Sequence, residues 1–196
     1  MRTRDAIKEE TVKQKAIEML VLKGIEGFSM NKLAKESNIS VATLYIYYSD
    51  KDDLIRKIGI EIGQLFFSEM IKFFSPKLSF RDGLYNQWKN RTEFTQKNPL
   101  KVACWELLSH SSYREIILNE SLSEFKIVMT QFLENAIEKK ELVPVSIEVF
   151  WSVAYGPLYH LLRFDNEQKN FTGEYFKLTE EKFNTAFELV IKALTP

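Results

Sequence analysis

Within residues 40–51 the chain carries the hydroxyls of Ser40, Thr43, Tyr45 and Tyr47 and the ammonium of Lys51. Such groups hydrogen-bond phosphate oxygens and base edges, and a short helix that opens with small or polar residues can carry them into a major groove. Taken singly, a tyrosine at helical spacing is commonly a packing residue and a lysine a solvated charge. The combination at this spacing points to double-stranded DNA, because a purely structural helix pair has no need of the whole set. Catalytic chemistry finds no comparable cluster. His110 and His160 are the only histidines and Cys104 is the only cysteine. No Cys/His set therefore has metal-ligand spacing, and neither a metal nor a cofactor is expected. Glu9-Glu10 and Glu180-Glu181 are adjacent pairs, whose carboxylates turn to different faces of a helix and away from shared acid-base work. The sequence reads as a binding protein rather than an enzyme.

Placing those hydroxyls takes two short helices and a tight turn. Ser40 can cap a helix that runs through Val41, Leu44, Tyr45 and Tyr48. Asn38 tolerates the left-handed conformation of the turn before it. Ser29 can cap a preceding helix over 30–37 that carries Leu33 and Ala34 inward. Two such helices over 33–47 match the arrangement in which one helix braces across the phosphate backbone and the next enters the groove. Upstream, Val12, Ala16, Met19 and Leu20 share one face of a first helix. That helix should stop at Gly24, leaving 25–28 as a connector and Phe28 to plug a small core. Downstream, Ser49-Asp50-Lys51-Asp52 reads as a capping box opening a long fourth helix. Its stripe of Leu54, Ile58, Ile62, Leu65 and Phe66 continues towards Phe73, before Ser75-Pro76. Lys51 then sits in a first turn, where unpaired backbone N–H groups and the positive dipole end also favour a phosphate.

Seven Gly and five Pro in 196 residues leave little punctuation. Apolar residues recur at three and four rather than two, so the whole chain reads as all-α, without a strand. Further helices are expected near 79–97, 99–110, 121–140, 146–164 and 179–194, making about nine in all. Pro99 suits a first turn, and Asn98, Pro144 and residues 165–173 suit breaks. Gly156-Pro157 should kink the helix that contains it. A net charge of zero provides no global field, so any DNA contact must be local. With a lone cysteine nothing argues for an oxidising compartment, and the cytoplasm is the default location. Met1-Arg2-Thr3-Arg4-Asp5 leads straight into a charged pattern and lacks the apolar stretch of a signal peptide. The longest uncharged apolar run, 149–162, falls short of the roughly 18 residues of a membrane span. No membrane partner is expected.

One stretch carries a family resemblance. Phe28-Ser29-Met30-Asn31-Lys32-Leu33-Ala34, followed by Ile39-Ser40-Val41-Ala42-Thr43-Leu44-Tyr45-Ile46-Tyr47-Tyr48-Ser49-Asp50-Lys51-Asp52-Asp53-Leu54, resembles the DNA-binding head of the tetracycline-repressor (TetR) family. The Thr-Leu-Tyr-x-Tyr-aromatic-x-x-Lys-x-x-Leu spacing is its specific part, and the resemblance covers about residues 10–57. Asn38 stands where the family usually has Gly, and Tyr48 where it has Phe; Asn accepts the turn and a tyrosine ring fills similar space. By position, the resemblance implies that Thr43, Tyr45, Tyr47 and Lys51 contact DNA, mostly at phosphates. Val41 and Ala42 would lie near base edges, with Met30 and Asn31 at the start of the second helix. Val41-Ala42 offers few hydrogen bonds, so base recognition would lean on the thymine methyl group and on DNA shape.

For the whole chain the resemblance implies a three-helix DNA-binding head over 1–57 and a larger helical ligand-binding and dimerisation domain over 58–196. It further implies a homodimer through the last two helices on a palindromic operator, and a repressor released by a small, largely apolar effector. The cavity for that effector would lie among the helices before the last two. Trp88, Phe94, Trp105, Tyr113, Phe125, Met129, Phe132 and Tyr155 are the large or adaptable side chains that could line it, with ordinary core packing as the alternative for each. Gln87, Arg91 and Arg114 are expected in solvent, with anchoring of a carboxylate or phosphate as their alternative. The competing function is a DNA-binding regulator or architectural factor that has no small-molecule ligand and is controlled by a protein partner.

Overall fold

The computed structural model describes the backbone from residue 2 to 196 and side chains from Lys8 onward, so the reading of Met1-Arg2-Thr3-Arg4-Asp5 lies outside the described side chains. Among the described residues there are ten helices and no strand, with one isolated bridge between Lys169 and Tyr175. The helices are α1 (Arg2–Gly27), α2 (Met30–Glu36), α3 (Val41–Tyr47), α4 (Lys51–Met70) and α5 (Phe80–Lys97). They continue as α6 (Pro99–Ser109), α7 (Arg114–Ser121), α8 (Ser123–Glu138), α9 (Ile147–Glu167) and α10 (Glu180–Leu194). Packing divides the chain into two units that alternate along the sequence. A head unit comprises Met1–Phe66 and Asn98–Leu122, and a larger unit comprises Phe67–Lys97 and Ser123–Pro196.

The head unit closes on an aliphatic core. Val12, Ala16, Met19 and Leu20 of α1 are buried with Leu33, Ala34, Leu44, Leu54 and Ile55, and Phe28 fills the centre. Gly24, at φ 67 and ψ 177, kinks α1 where the helix was expected to stop, but residues 25–27 remain helical instead of forming a connector, and α1 ends at Gly27. Ser29 Oγ accepts the Lys32 N–H at 3.5 Å and Ser40 Oγ accepts the Thr43 N–H at 3.1 Å, so both short helices start at the predicted caps. Asn38 takes the left-handed turn at φ 54. The cap of α4 lies one residue later than expected. Asp50 Oδ1 accepts the Asp53 N–H at 2.7 Å and Asp53 Oδ2 accepts the Ser49 N–H at 3.0 Å. A carboxylate reaches both ways across this turn, which displaces Ser49 and Asp52 from the reciprocal roles assigned to them.

Two other expectations are corrected. The segment before α8 is a separate helix, α7, which raises the count from about nine to ten and shortens the helix expected over 121–140. Of its apolar residues only Ile117 is fully buried, while Ile116 is exposed, so it lacks the amphipathic stripe by which the longer helices are recognised. It lies against α4 at Gly59, where a Cβ would come within 2.3 Å of Ile117 Cδ1. Likewise α4 does not continue towards Phe73. It ends at Met70, and Phe73 sits at φ 56 with 89% of its surface exposed. Donors from α5 close this end: Gln87 Nε2 and Asn90 Nδ2 bond the Met70 carbonyl at 2.6 and 3.1 Å.

The larger unit packs α5, α8, α9 and α10 around aromatic rings. Trp88 donates its Nε1–H to the Ala154 carbonyl at 2.8 Å and meets Phe183 and Phe187 edge-on, each at 5.4 Å between centroids. Phe132 lies between Phe74 and Phe80 and closes over Gly83, where a Cβ would be 2.3 Å from its ring. Helix α9 runs through Gly156-Pro157 as one element, and a Cβ at Gly156 would meet nothing within 4 Å. No helix among the described residues is long and apolar enough to cross a membrane.

Candidate functional site

The turn over 37–40 holds α2 and α3 together, with the Ile39 N–H bonding the Ala34 carbonyl at 3.0 Å. Leu44 anchors α3 from within, which leaves Ala42, Tyr45 and Ile46 outermost, Tyr45 at 51% and Ile46 at 78% exposure. Ser40 is exposed, and its Oγ lies 2.8 Å from Thr43 Oγ1, so the two hydroxyls form one polar corner at the start of the helix. Val41 and Tyr47 are half-buried against the core and show only part of their surface outward. Asn31 is exposed at the start of α2. Met30 beside it is buried, because it shares a face with Leu33 and Ala34 three and four residues on, and it offers no side-chain atom to this surface.

Charge around α3 is arranged by the first two turns of α4. Lys51 Nζ donates to the Ile25 carbonyl at 2.8 Å, which fixes the ammonium and leaves two of its three hydrogens for another acceptor. Lys57 Nζ bonds Asp53 Oδ2 at 2.9 Å and the Tyr47 carbonyl at 3.3 Å, and Arg56 reaches Asp53 Oδ1 at 2.8 Å. The Lys57 ammonium, aided by the Ser49 N–H and Arg56, outweighs the partial burial of Asp53 and holds its carboxyl down at about 2. Lys32 and Lys35, both exposed on α2, form no ion pair among the described residues. With Ile46 they are the surface residues that the motif did not single out. Their signal was α2's own spacing, which sends positions 32 and 35 outward once Leu33 and Ala34 turn in.

The residues expected to line a ligand cavity separate into two sets. Trp105 and Tyr113 belong to the head unit. Trp105 stacks on Phe66 at 5.7 Å, and the Tyr113 hydroxyl donates to Asp52 Oδ1. Burial, that hydrogen bond and the Asp52 charge raise the Tyr113 hydroxyl to about 12. Cys104, also in the head unit, is fully buried, and burial raises its thiol to about 12, which removes any reactive thiolate. Trp88, Phe94, Phe125, Met129, Phe132 and Tyr155 lie in the larger unit, all buried.

Among them the structure places two polar residues that were expected in solvent. Gln87 and Arg91 are both fully buried, whereas Arg114 is exposed and bonds the Ser109 carbonyl at 3.0 Å. Among the described residues Arg91 forms no ion pair. Its Nε–H donates to Tyr159 Oη at 3.0 Å and its Nη1 to Gln87 Oε1, while Nη2 has no partner. The guanidinium faces the rings of Tyr155, Trp151 and Phe125 at 4.0, 5.6 and 5.9 Å. An arginine cannot shed its charge, and burying a lone cation costs several kcal/mol. Desolvated ring faces return on the order of 2 kcal/mol at best and the hydrogen bonds to neutral oxygens about as much. Tyr155 Oη is also buried without a partner, and burial pushes it up to about 12 against the pull of Arg91.

A helix pair of this geometry with an exposed second helix defines a helix-turn-helix protein. Residues 14–58 match the family described as bacterial regulatory proteins, tetR family. An uncharacterized HTH-type transcriptional regulator of Haemophilus influenzae is 29% identical, with 54% of this chain and 67% of that protein covered. The fold is that of a TetR family transcription regulator from Marinobacter aquaeolei, at a TM-score of 0.85 and 23% identity over 100% of this chain and 99% of the other. It is also that of the transcriptional regulator FadR from Bacillus subtilis, solved in complex with stearoyl-CoA, at a TM-score of 0.71 and 17% identity over 93% and 97% of the two chains. The chain is a DNA-binding transcription regulator, and its head belongs to the TetR family.

Proposed function

We propose that the protein is a cytoplasmic repressor that binds a palindromic operator as a homodimer and is released by a small, largely apolar effector. The observation that carries the DNA contact is the outer face of α3, where Ala42, Tyr45 and Ile46 are exposed beside the polar corner of Ser40 and Thr43. In this reading Val41, Ala42 and Ile46 meet base edges through apolar contact, and Asn31, Ser40, Thr43, Tyr45, Tyr47 and Lys51 meet phosphates. Lys32 and Lys35 add unpaired charge on the bracing helix. Met30 acts from within, holding α2 in place.

Residues 1–57 would then form the DNA-binding part and 58–196 the ligand-binding and dimerisation part. Helix α9 supports the dimer: Val149, Ser152, Val153, Gly156, Pro157, His160 and Leu161 are wholly or partly exposed, and none is a Lys, Arg, Asp or Glu. The open space over Gly156 allows another backbone to come close. The aromatic interior of the larger unit and the stearoyl-CoA of the Bacillus subtilis neighbour support an apolar effector. Helix α4 runs from Lys51 into the segment assigned to the larger unit, so a shift at its far end would turn the head. Two recognition helices must lie about 34 Å apart to enter successive major grooves, which makes a small rotation sufficient.

Fluorescence anisotropy on palindromic DNA from the protein's own promoter, against scrambled DNA over a salt series, tests this reading. Preference by about 1,000-fold with a steep salt slope is expected. Lys51→Ala should weaken all DNA sequences alike and lower the slope by about one phosphate contact. If selection from random DNA also returns no preferred sequence, the reading fails.

A further inference from the structure

We propose that Arg91 is the anchor for a monoanionic carboxylate on an apolar body, held inside the larger unit between α5 and α9. The inference rests on the effector reading above and names the chemical class of that effector. It starts from an imbalance. The two buried side chains that lack partners here, Arg91 Nη2 and Tyr155 Oη, both offer hydrogen, and Nη2 can do nothing else. What is missing is an acceptor. Among the described residues no negative charge faces Arg91 either: it meets the neutral oxygens of Gln87 and Tyr159 and the faces of Tyr155, Trp151 and Phe125.

The chemistry narrows the acceptor further. One cation without a second beside it calls for a single negative charge; a dianionic phosphate would leave charge uncompensated in the same apolar surroundings. A planar carboxylate matches the planar guanidinium, and Nη2 provides an unused edge for it. The side chains facing the guanidinium are the rings of Phe125, Trp151 and Tyr155, which suits a hydrocarbon or aromatic body rather than a sugar. Trp151 and Tyr159 are the half-buried members of the set, so a ligand would enter past them.

The test uses the purified full chain in isothermal titrations with two acid and alcohol pairs, decanoate against decan-1-ol and benzoate against benzyl alcohol. At least one acid is expected to bind about tenfold or more tightly than its alcohol. Arg91→Met should abolish the preference, and Tyr155→Phe should weaken the acid several-fold. Should Arg91→Met fail to fold, Arg91→Lys keeps the charge but not the planar edge, and should retain a reduced preference. Acids and alcohols that bind alike, acids that do not bind at all, or a preference that survives in Arg91→Met would each overturn the proposal. A buried water in place of the ligand would give the first of these outcomes. Operator anisotropy with the bound acid separates this inference from the function it rests on. Binding through Arg91 with unchanged operator affinity upholds the carboxylate site and removes the effector role. Release from the operator by an acid that Arg91→Met binds equally well overturns the site and keeps the role.

Discussion

The two units treat a buried charge in opposite ways. In the head, the carboxylate of Asp53 meets two cations and a backbone N–H, and every contact lies within four residues along the chain. In the larger unit, the guanidinium of Arg91 meets neutral oxygens and ring faces, and most of those partners lie at least 60 residues away in sequence or on another helix. The first arrangement is complete and serves to start α4. The second is incomplete, and its deficiency has a definite chemical sense, since only an acceptor fills it. A satisfied charge inside a fold reads as structure, whereas an unsatisfied one that cannot neutralise itself reads as a place kept for a partner.

The contrast depends on the aromatic interior of the larger unit being rigid, and Trp88 is one of its fully buried rings. Trp88→Ala removes a fully buried ring, its hydrogen bond to Ala154 and two edge contacts. We expect a loss of about 3–5 kcal/mol by urea denaturation. A loss below about 1 kcal/mol would show that this interior yields easily. Two glycines compare the stiffness of the units directly. Gly83→Ala drives a methyl into the Phe132 ring, which Phe74 and Phe80 hold on either side, and should cost about 1–3 kcal/mol. Gly59→Ala meets the Cδ1 and Cγ1 of Ile117 and the Cδ1 of Leu108, aliphatic atoms rather than a ring held on both sides, and a helical alanine recovers up to about 1 kcal/mol. It should fall within about 1 kcal/mol of wild type. Equal costs would mean that the aliphatic core is as stiff as the aromatic one.

Arg91→Met inverts the usual sign for a buried substitution. Removing an uncompensated cation and filling its volume with an apolar chain should raise stability by about 1 kcal/mol, the lost ring contacts and hydrogen bonds offsetting part of the gain. A clear loss in calorimetry would place the charge among the stabilising groups and end the contrast with Asp53.

That contrast also explains what the sequence made legible. The caps at Ser29 and Ser40, the turn at Asn38 and the inward face of α2 act over three or four residues, so residue type and spacing suffice. The same locality made the outward residues of α3 readable, since Leu44 alone fixes which side turns in. The misses are non-local. Met70 ends α4 because Gln87 and Asn90 bond its carbonyl from another helix, whereas the local stripe favoured Phe73. Arg91 follows Lys89-Asn90, a composition that reads as solvated surface, and its burial is set by Trp151, Tyr155 and Tyr159 of α9. Trp105 and Tyr113 looked like cavity residues by type, yet α6 and α7 pack in the head unit, a fact that chain order conceals.

The smallest expected effect concerns Asp53 and pH. Its carboxyl is held at about 2 in the fold, below the value of about 3.9 for a free aspartate. The unfolded chain therefore takes up this proton first as the solution is acidified. The contribution to stability is full above about pH 4, falls between 4 and 2, and is gone below the folded value. Asp53→Asn keeps the size of the side chain and removes the charge. At pH 6 the variant should melt a few degrees below wild type, and the gap should narrow as the pH falls from 4 towards 2. A gap that stays constant over that range would mean that Asp53 acts as a hydrogen-bonding cap alone, with Lys57 and Arg56 contributing nothing through charge. The head would then also hold cations without an energetically engaged counterion, and the distinction between its completed charge and the open one at Arg91 would rest on geometry alone.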